Sequence, residues 1–245
     1  LNIIPKKELH SLVGRLSHAA GLLITMRPFL EPLWAALSCN EKATGAPANT
    51  IWRKQILQSL IWFEALFLHH PLLIERRFTV AAYLRVGTYI EIGTDASPWG
   101  MGGWLQVDGR IKEYFGCAVT PDDVAMYGLA TGTPDGQQVW ECLAILVAIR
   151  LWAHLWSKDR IVLNLVGDNI GALTLLVKLR TPTRNPAMGI IARELALELA
   201  QLSFQPDATH TPGLAHVVAD VLSRVHAPGG AGRVSSELHP ALSEA

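Results

Sequence analysis

The run Ile161 to Val166 constrains the fold more than any other stretch of the chain. It reads Ile-Val-Leu-Asn-Leu-Val, apolar at every position but Asn164 and without alternation. Such a run is typical of a strand buried on both faces, inside a sheet that helices cover. What precedes it is different. From Tyr89 to Thr94 residues alternate around Ile90 and Ile92, as in a strand with one buried face, and Met101 to Val107 reads as a second strand. Asp108-Gly109 is a two-residue hairpin signal, and Arg110 to Val119 returns as the third strand. Val139 to Trp156 reads as a strongly apolar helix, Ile170 to Leu179 and Ala187 to Leu202 as further helices, Phe204 to Thr209 as a short strand and Leu214 to Val225 as a last helix. An antiparallel meander followed by strand–helix–strand crossovers predicts an α/β fold: a five-stranded mixed sheet flanked by helices.

The segment ahead of Gly87 has another character. Leu9, Leu12, Val13, Leu16, Ala20 and Leu23 form one apolar stripe at helical spacing, and Pro5 suits a first helical turn. Pro28 and Pro32 are expected to break or restart this helix. Residues 39–49 read as a loop, after which Thr50 could cap a helix carrying Trp52, Ile56, Leu60 and Phe63 on one face. His69-His70-Pro71 ends it; the two adjacent histidines cannot share a helix face and read as solvated. Residues 120–138, rich in Thr, Pro, Asp and Gly, read as a long loop, and residues 227–245 as a flexible tail. The expected division is therefore a helical segment over 1–86, an α/β domain over 87–226 and the tail.

Half of the 245 residues are hydrophobic and 17% are charged, enough apolar mass for a sizeable core. The net charge is zero but unevenly spread. Residues 1–87 hold ten Lys or Arg against five Asp or Glu, and the rest reverses the imbalance. A basic front suits a polyanionic partner, although ordinary surface variation explains it equally well. Cys39, Cys117 and Cys142 are odd in number and widely spaced, which argues against a disulfide framework or a zinc module and suits a reducing compartment. No apolar run reaches the ~18 residues of a spanning helix. The opening Leu-Asn-Ile-Ile-Pro-Lys-Lys lacks both an initiator Met and the shape of a signal peptide, so the chain reads as a piece of a longer polypeptide.

Four acids stand out: Asp95, Glu141, Asp168 and Asp220. Singly each has a plain explanation as a turn residue, a first-turn helix acid, an N-cap and a solvated helix residue. Together they suggest more, because carboxylates converging at strand ends make a site for two hard divalent cations, and such sites cut phosphodiester bonds. Their surroundings are Thr94-Asp95-Ala96-Ser97 with Gly100, Gly102 and Gly103; Glu141-Cys142-Leu143-Ala144; Gly167-Asp168-Asn169; and His210-Thr211-Pro212-Gly213 leading to Ala219-Asp220-Val221-Leu222-Ser223-Arg224. In this order the four blocks resemble those of the ribonuclease H domain of retroelement polyproteins, over roughly residues 87–226. Leu12-Val13-Gly14-Arg15-Leu16-Ser17-His18 and Arg27-Pro28-Phe29-Leu30 more loosely resemble the thumb or connection segment that follows the polymerase palm there.

The resemblance implies an RNase H-like sheet and two Mg²⁺ or Mn²⁺ ions held by Asp95, Glu141, Asp168 and Asp220. Asp95 would bridge both ions, Glu141 and Asp168 would complete one, and Asp220 would serve the other. It implies that His210 assists proton transfer and product release, for which an imidazole that titrates near neutral pH is suited. By position it makes Ser97, Gln137, Gln138 and Asn169 candidates for contacts to the minor groove of an RNA·DNA hybrid, which is recognised by shape and 2′-hydroxyls. Two departures are visible: His216 stands where the family often has Asn and is not read as a ligand, and the spacing from Asp95 to Glu141 is long.

The function this implies is an endonuclease that hydrolyses the RNA strand of RNA·DNA hybrids within a retroelement reverse transcriptase. Its partners would be the hybrid and the rest of the Pol polyprotein, inside the cell in nucleoprotein particles and away from membranes. No Tyr-x-Asp-Asp stretch occurs, so polymerase activity is not expected. Lys6, Lys7, Arg15 and Arg27 could contact phosphates, or simply form a solvated helix face. Two alternatives stay open: a non-catalytic hybrid-binding or connection domain, and a related DNA nuclease on the same fold.

Overall fold

The computed structural model describes residues 2–40, 44–69, 75, 78–156, 160–181 and 185–229. Its centre is a five-stranded sheet built from β3 (Thr88–Ala96), β4 (Gly100–Val107), β5 (Arg110–Ala118), β6 (Ile161–Gly167) and β7 (Asp207–His210). The strand order is β5-β4-β3-β6-β7; β3, β4 and β5 pair antiparallel, while β3–β6 and β6–β7 pair parallel. This is the mixed sheet the pattern predicts. The hairpin turn at Asp108 (φ 47°) and Gly109 (φ 84°) needs two consecutive left-handed residues, and glycine supplies one of them without strain.

Asn164 is the polar exception in β6, and the sheet explains it. Its Nδ2 donates to Glu91 on β3 at 3.2 Å, and its Oδ1 accepts from the Thr209 hydroxyl on β7 at 2.9 Å. One buried amide thus ties three parallel neighbours together, with both its nitrogen and its oxygen hydrogen-bonded.

Two short strands, β1 (Ile3–Pro5) and β2 (Thr50–Trp52), form a separate antiparallel pair. The helices are α1 (Lys6–Leu22), α2 (Arg27–Ser38), α3 (Leu57–His69), α4 (Val80–Tyr83), α5 (Pro121–Tyr127), α6 (Gln137–Leu151), α7 (Ala153–Trp156), α8 (Ile170–Lys178), α9 (Pro186–Ala200) and α10 (Val217–Ser223). The α6 helix packs along β3 and β4, with α8 and α9 against it, and α10 lies on β4 and β3. The front helices join the same buried cluster, because α2 packs on α9.

Several expectations need correction. Pro28 does restart the helix, in the first turn of α2 where its missing N–H costs nothing, but Pro32 neither breaks nor restarts it and is carried inside α2. Pro5 is the residue preceding α1 and ends β1. Thr50 caps no helix: it pairs with Pro5 in β2, and α3 begins only at Leu57. Residues 120–138 are not one loop. Thr120 and Asp123 form a reciprocal capping box that starts α5, and α6 begins at Gln137. His70 and residues 230–245 lie outside the described residues. No described helix is long and apolar enough to cross a membrane, and Cys39, Cys117 and Cys142 are all free.

Candidate metal centre

Asp95 is the second-last residue of β3, and Asp168 follows directly on β6, so both leave the C-terminal ends of two adjacent parallel strands. Ligand sites in open α/β sheets form at such ends. Glu141 comes from the second turn of α6, which runs over β3. Carboxylate oxygens of Asp95, Glu141 and Asp168 lie within 4.8 Å of one another. Asp95 and Glu141 are each only 5% exposed, and Asp168 is the most open of the three.

Burying acids together makes them hold their protons. Burial is the main cause that lifts Asp95 to about 6, with further contributions from the charges of Asp168 and Asp220; the Ser223 hydroxyl opposes it by donating to Oδ2 at 2.6 Å. Burial and then the charge of Asp95 push Glu141 to about 9, against a hydrogen bond from Gln137 Nε2 at 3.0 Å. Among the described residues no Lys or Arg pairs with any of these three acids. An all-oxygen donor set without a counter-cation fits a hard divalent ion, and the three acids are compatible with holding one.

Asp220 stands apart from this group. It sits on α10, where its Oδ1 accepts from Nε (2.8 Å) and Nη2 (2.6 Å) of Arg224, one helical turn on. Its charge is nevertheless felt at Asp95, and Ser223 Oγ bridges its carbonyl (2.9 Å) to the Asp95 carboxylate. Gly102 explains how α10 comes so close: a Cβ there would lie 2.4 Å from Leu222 Cβ and from the Ser223 nitrogen. The helix rests on bare strand backbone.

The remaining candidates divide. His210 is exposed, with Nε2 3.1 Å from the Asp168 carbonyl; a carbonyl only accepts, so Nε2 carries the proton and Nδ1 is the basic nitrogen. Gln138 is exposed at the start of α6. Asn169, not Asp168, caps α8, accepting from Ala172 N at 3.0 Å, which frees the Asp168 carboxylate. Gln137 is turned inward to Glu141 and the Ala96 carbonyl. Ser97 needs correction as a substrate contact. It is 1% exposed, donates to the Ser223 carbonyl at 2.7 Å and accepts from the backbone of Trp99 and Gly100. His216 is also buried and donates from Nε2 to the Thr94 carbonyl at 2.9 Å, pinning the start of α10 to β3. Ser223 was the residue that sequence reasoning passed over. Its position three after Asp220 on a helix was the available signal, but not what that face would meet.

No family model matches the chain, and no curated protein matches it. Solved structures do. RNase H1 from the halophilic archaeon Halobacterium salinarum is 17% identical, with 55% of this chain covering 92% of that one at a TM-score of 0.37. LC11-RNase H1, isolated from compost and solved in complex with an RNA/DNA hybrid, is 14% identical, with 55% and 92% covered at 0.39. A foamy viral protease-reverse transcriptase in complex with double-stranded DNA is 15% identical, with 86% of this chain and 36% of that one covered at 0.31. What decides the architecture is the β5-β4-β3-β6-β7 order with its two antiparallel and two parallel pairings. The fold is RNase H-like. In it the acids of β3, α6 and β6 meet on one side of the RNase H-like sheet, and α10 brings Asp220 to its margin.

Proposed function

We propose that the chain is a divalent-metal-dependent nuclease that hydrolyses the RNA strand of RNA·DNA hybrids, as part of a retroelement reverse transcriptase. The observation that carries the reading is the group of three carboxylates, Asp95 and Asp168 at the ends of β3 and β6 with Glu141 from α6, which no Lys or Arg pairs with among the described residues. The order of the four sequence blocks, ending in His210-Thr211-Pro212-Gly213 and Ala219 to Arg224, supports the hybrid as substrate and the retroelement setting. Residues 87–226 would be the nuclease and residues 1–86 a connection-like segment, docked through α2 on α9.

Asp95, Glu141 and Asp168 would hold Mg²⁺ or Mn²⁺, with Asp220 available once Arg224 lets go. A bound pair of such ions supplies a water of lowered pKa and stabilises charge on the leaving oxygen. The protein's part is definable from its own contacts. Gln137 orients Glu141, and Ser223 orients Asp95 while favouring its ionised form. Glu141 must lose its proton to act, so binding of cations is coupled to proton release. His210 at the rim can take or give a proton at Nδ1 while Nε2–H stays on the Asp168 carbonyl. Gln138 and the free amide nitrogen of Asn169 flank the acids, where short polar side chains can meet 2′-hydroxyls.

The test is cleavage of a strand-labelled RNA·DNA hybrid with Mg²⁺, with Mn²⁺ and with EDTA, beside Asp95→Asn. Metal-dependent cutting of the RNA strand alone, lost in the variant, is the expected result. Cutting of the DNA strand would favour a related DNA nuclease. Hybrid binding without any cutting would favour a non-catalytic connection domain.

A further inference from the structure

The arginine the nuclease reading leaves unused opens on a cavity of its own. Between α1, α2 and the turn after α8 lies a cavity of about 370 Å³ lined by Ser17, Gly21, Arg27, Glu31, Trp34 and Arg180. Arg27 is held in place: Nε donates to the Ala20 carbonyl at 3.3 Å and Nη1 to the Lys178 carbonyl at 3.1 Å. Arg180 makes no hydrogen bond or ion pair among the described residues. The two guanidiniums sense each other, since burial and then the Arg180 charge lower the pKa of Arg27. The one carboxylate in the wall is already engaged, because Glu31 accepts from the Thr181 amide at 2.7 Å and from its hydroxyl. Two like charges beside an engaged acid leave a surplus that an anion would satisfy.

The rest of the lining fits an aromatic ring joined to that anion. Trp34 is 39% exposed, and its indole is braced by the Ser17 hydroxyl (3.1 Å from Nε1) and by the edge of His10. Gly21 lies inside α1, where glycine costs roughly 1 kcal/mol relative to alanine. Gly21 lines the cavity and no atom lies within 4 Å of a Cβ built there, so a side chain at this position has room to grow at the cavity wall.

We propose that this cavity binds a nucleotide, with its phosphate on Arg27 and Arg180 and its base on Trp34. The nucleotide is either free or a unit of a single strand; in both the recognised chemistry is a phosphate with a flat base attached. The site is independent of the acids and does not rest on the nuclease reading.

Binding to the full chain is measured by calorimetry in EDTA, which withholds cations from the acids. The probes are adenosine 5′-monophosphate, inorganic phosphate and a short single-stranded oligodeoxynucleotide. The variants are Arg180→Gln, Trp34→Leu and Gly21→Leu, which fills the cavity without touching a charge; thermal melts confirm that each is folded. Arg180→Gln is expected to weaken binding roughly tenfold or more, and Gly21→Leu to block it. Trp34→Leu should weaken the nucleotide but not inorganic phosphate. The same losses with the monophosphate point to a free nucleotide, and losses with the oligonucleotide alone point to a strand. Absence of binding by both nucleotide probes, binding unchanged in Arg180→Gln, or inorganic phosphate binding as tightly as the nucleotide probe that binds overturns the proposal.

Discussion

At the scale of single residues, Asp95 and Glu141 are carboxyls that the fold holds away from water and close to each other, and function and stability pull on them in opposite directions. Asp95→Asn keeps an oxygen to accept from Ser223 but removes the charge that helps push Glu141 up to about 9. The variant is expected to lose metal-dependent cleavage and, without metal at neutral pH, to melt higher than the parent, by on the order of 1 kcal/mol. A melt that falls instead would show that the charge is not destabilising. Ser223→Ala tests the orienting hydroxyl. Its hydrogen bond holds the Asp95 pKa down, so removing it raises that pKa, and the acid limb of the pH–rate profile should move to higher pH. An unmoved limb would assign Ser223 to packing alone. At this scale the acids were legible in the sequence because three of the four follow or precede strongly apolar runs, where solvated acids are not expected. The inward turns of Ser97 and His216 were not, since both are bonded by partners more than a hundred residues away.

Elements were legible in proportion to how local their causes are. The β3–β4–β5 meander, the hairpin and β6 show in the sequence because alternation, Asp-Gly and an unbroken apolar run are local signals. The β2 strand was missed because it exists only by pairing with β1 across some forty intervening residues, a number set by Pro5↔Thr50. The α5 helix was missed because Thr-Pro-Asp-Asp looks like a turn until its capping box is recognised. The seating of α10 belongs here too. Gly102→Ala would drive a methyl into Leu222 and the Ser223 amide, so it should lower stability by about 1–3 kcal/mol and cut cleavage by shifting Ser223 and Asp220. Full activity with an unchanged melt would mean that the helix can ride further out at no cost.

For the molecule as a whole, the two raised carboxyls make the metal-free fold sensitive to alkali. The folded chain holds protons that the unfolded chain, with ordinary carboxyls near 3.8 and 4.5, has given up. That contribution is fully present below about pH 4 and is lost as pH rises through about 6 for Asp95 and about 9 for Glu141. The melting temperature in EDTA should therefore fall from mildly acidic to alkaline buffer. Added Mg²⁺, which needs the ionised acids, should raise it by more the higher the pH. A melt in EDTA that rises with pH over this range would contradict the site as described.

The glycine seat of α10 also sets an order of events. The helix that supplies Asp220 and Ser223 reaches Asp95 across 128 positions of sequence, and closing so wide a loop comes late in folding. A chain cut between Asp168 and His216 would keep three of the acids and lose both the His216 and the Ser223 contacts to the end of β3. On the proposed reading, Asp95 would be held for a metal only once α10 has docked, so assembly of the site would follow closure of this long loop rather than precede it.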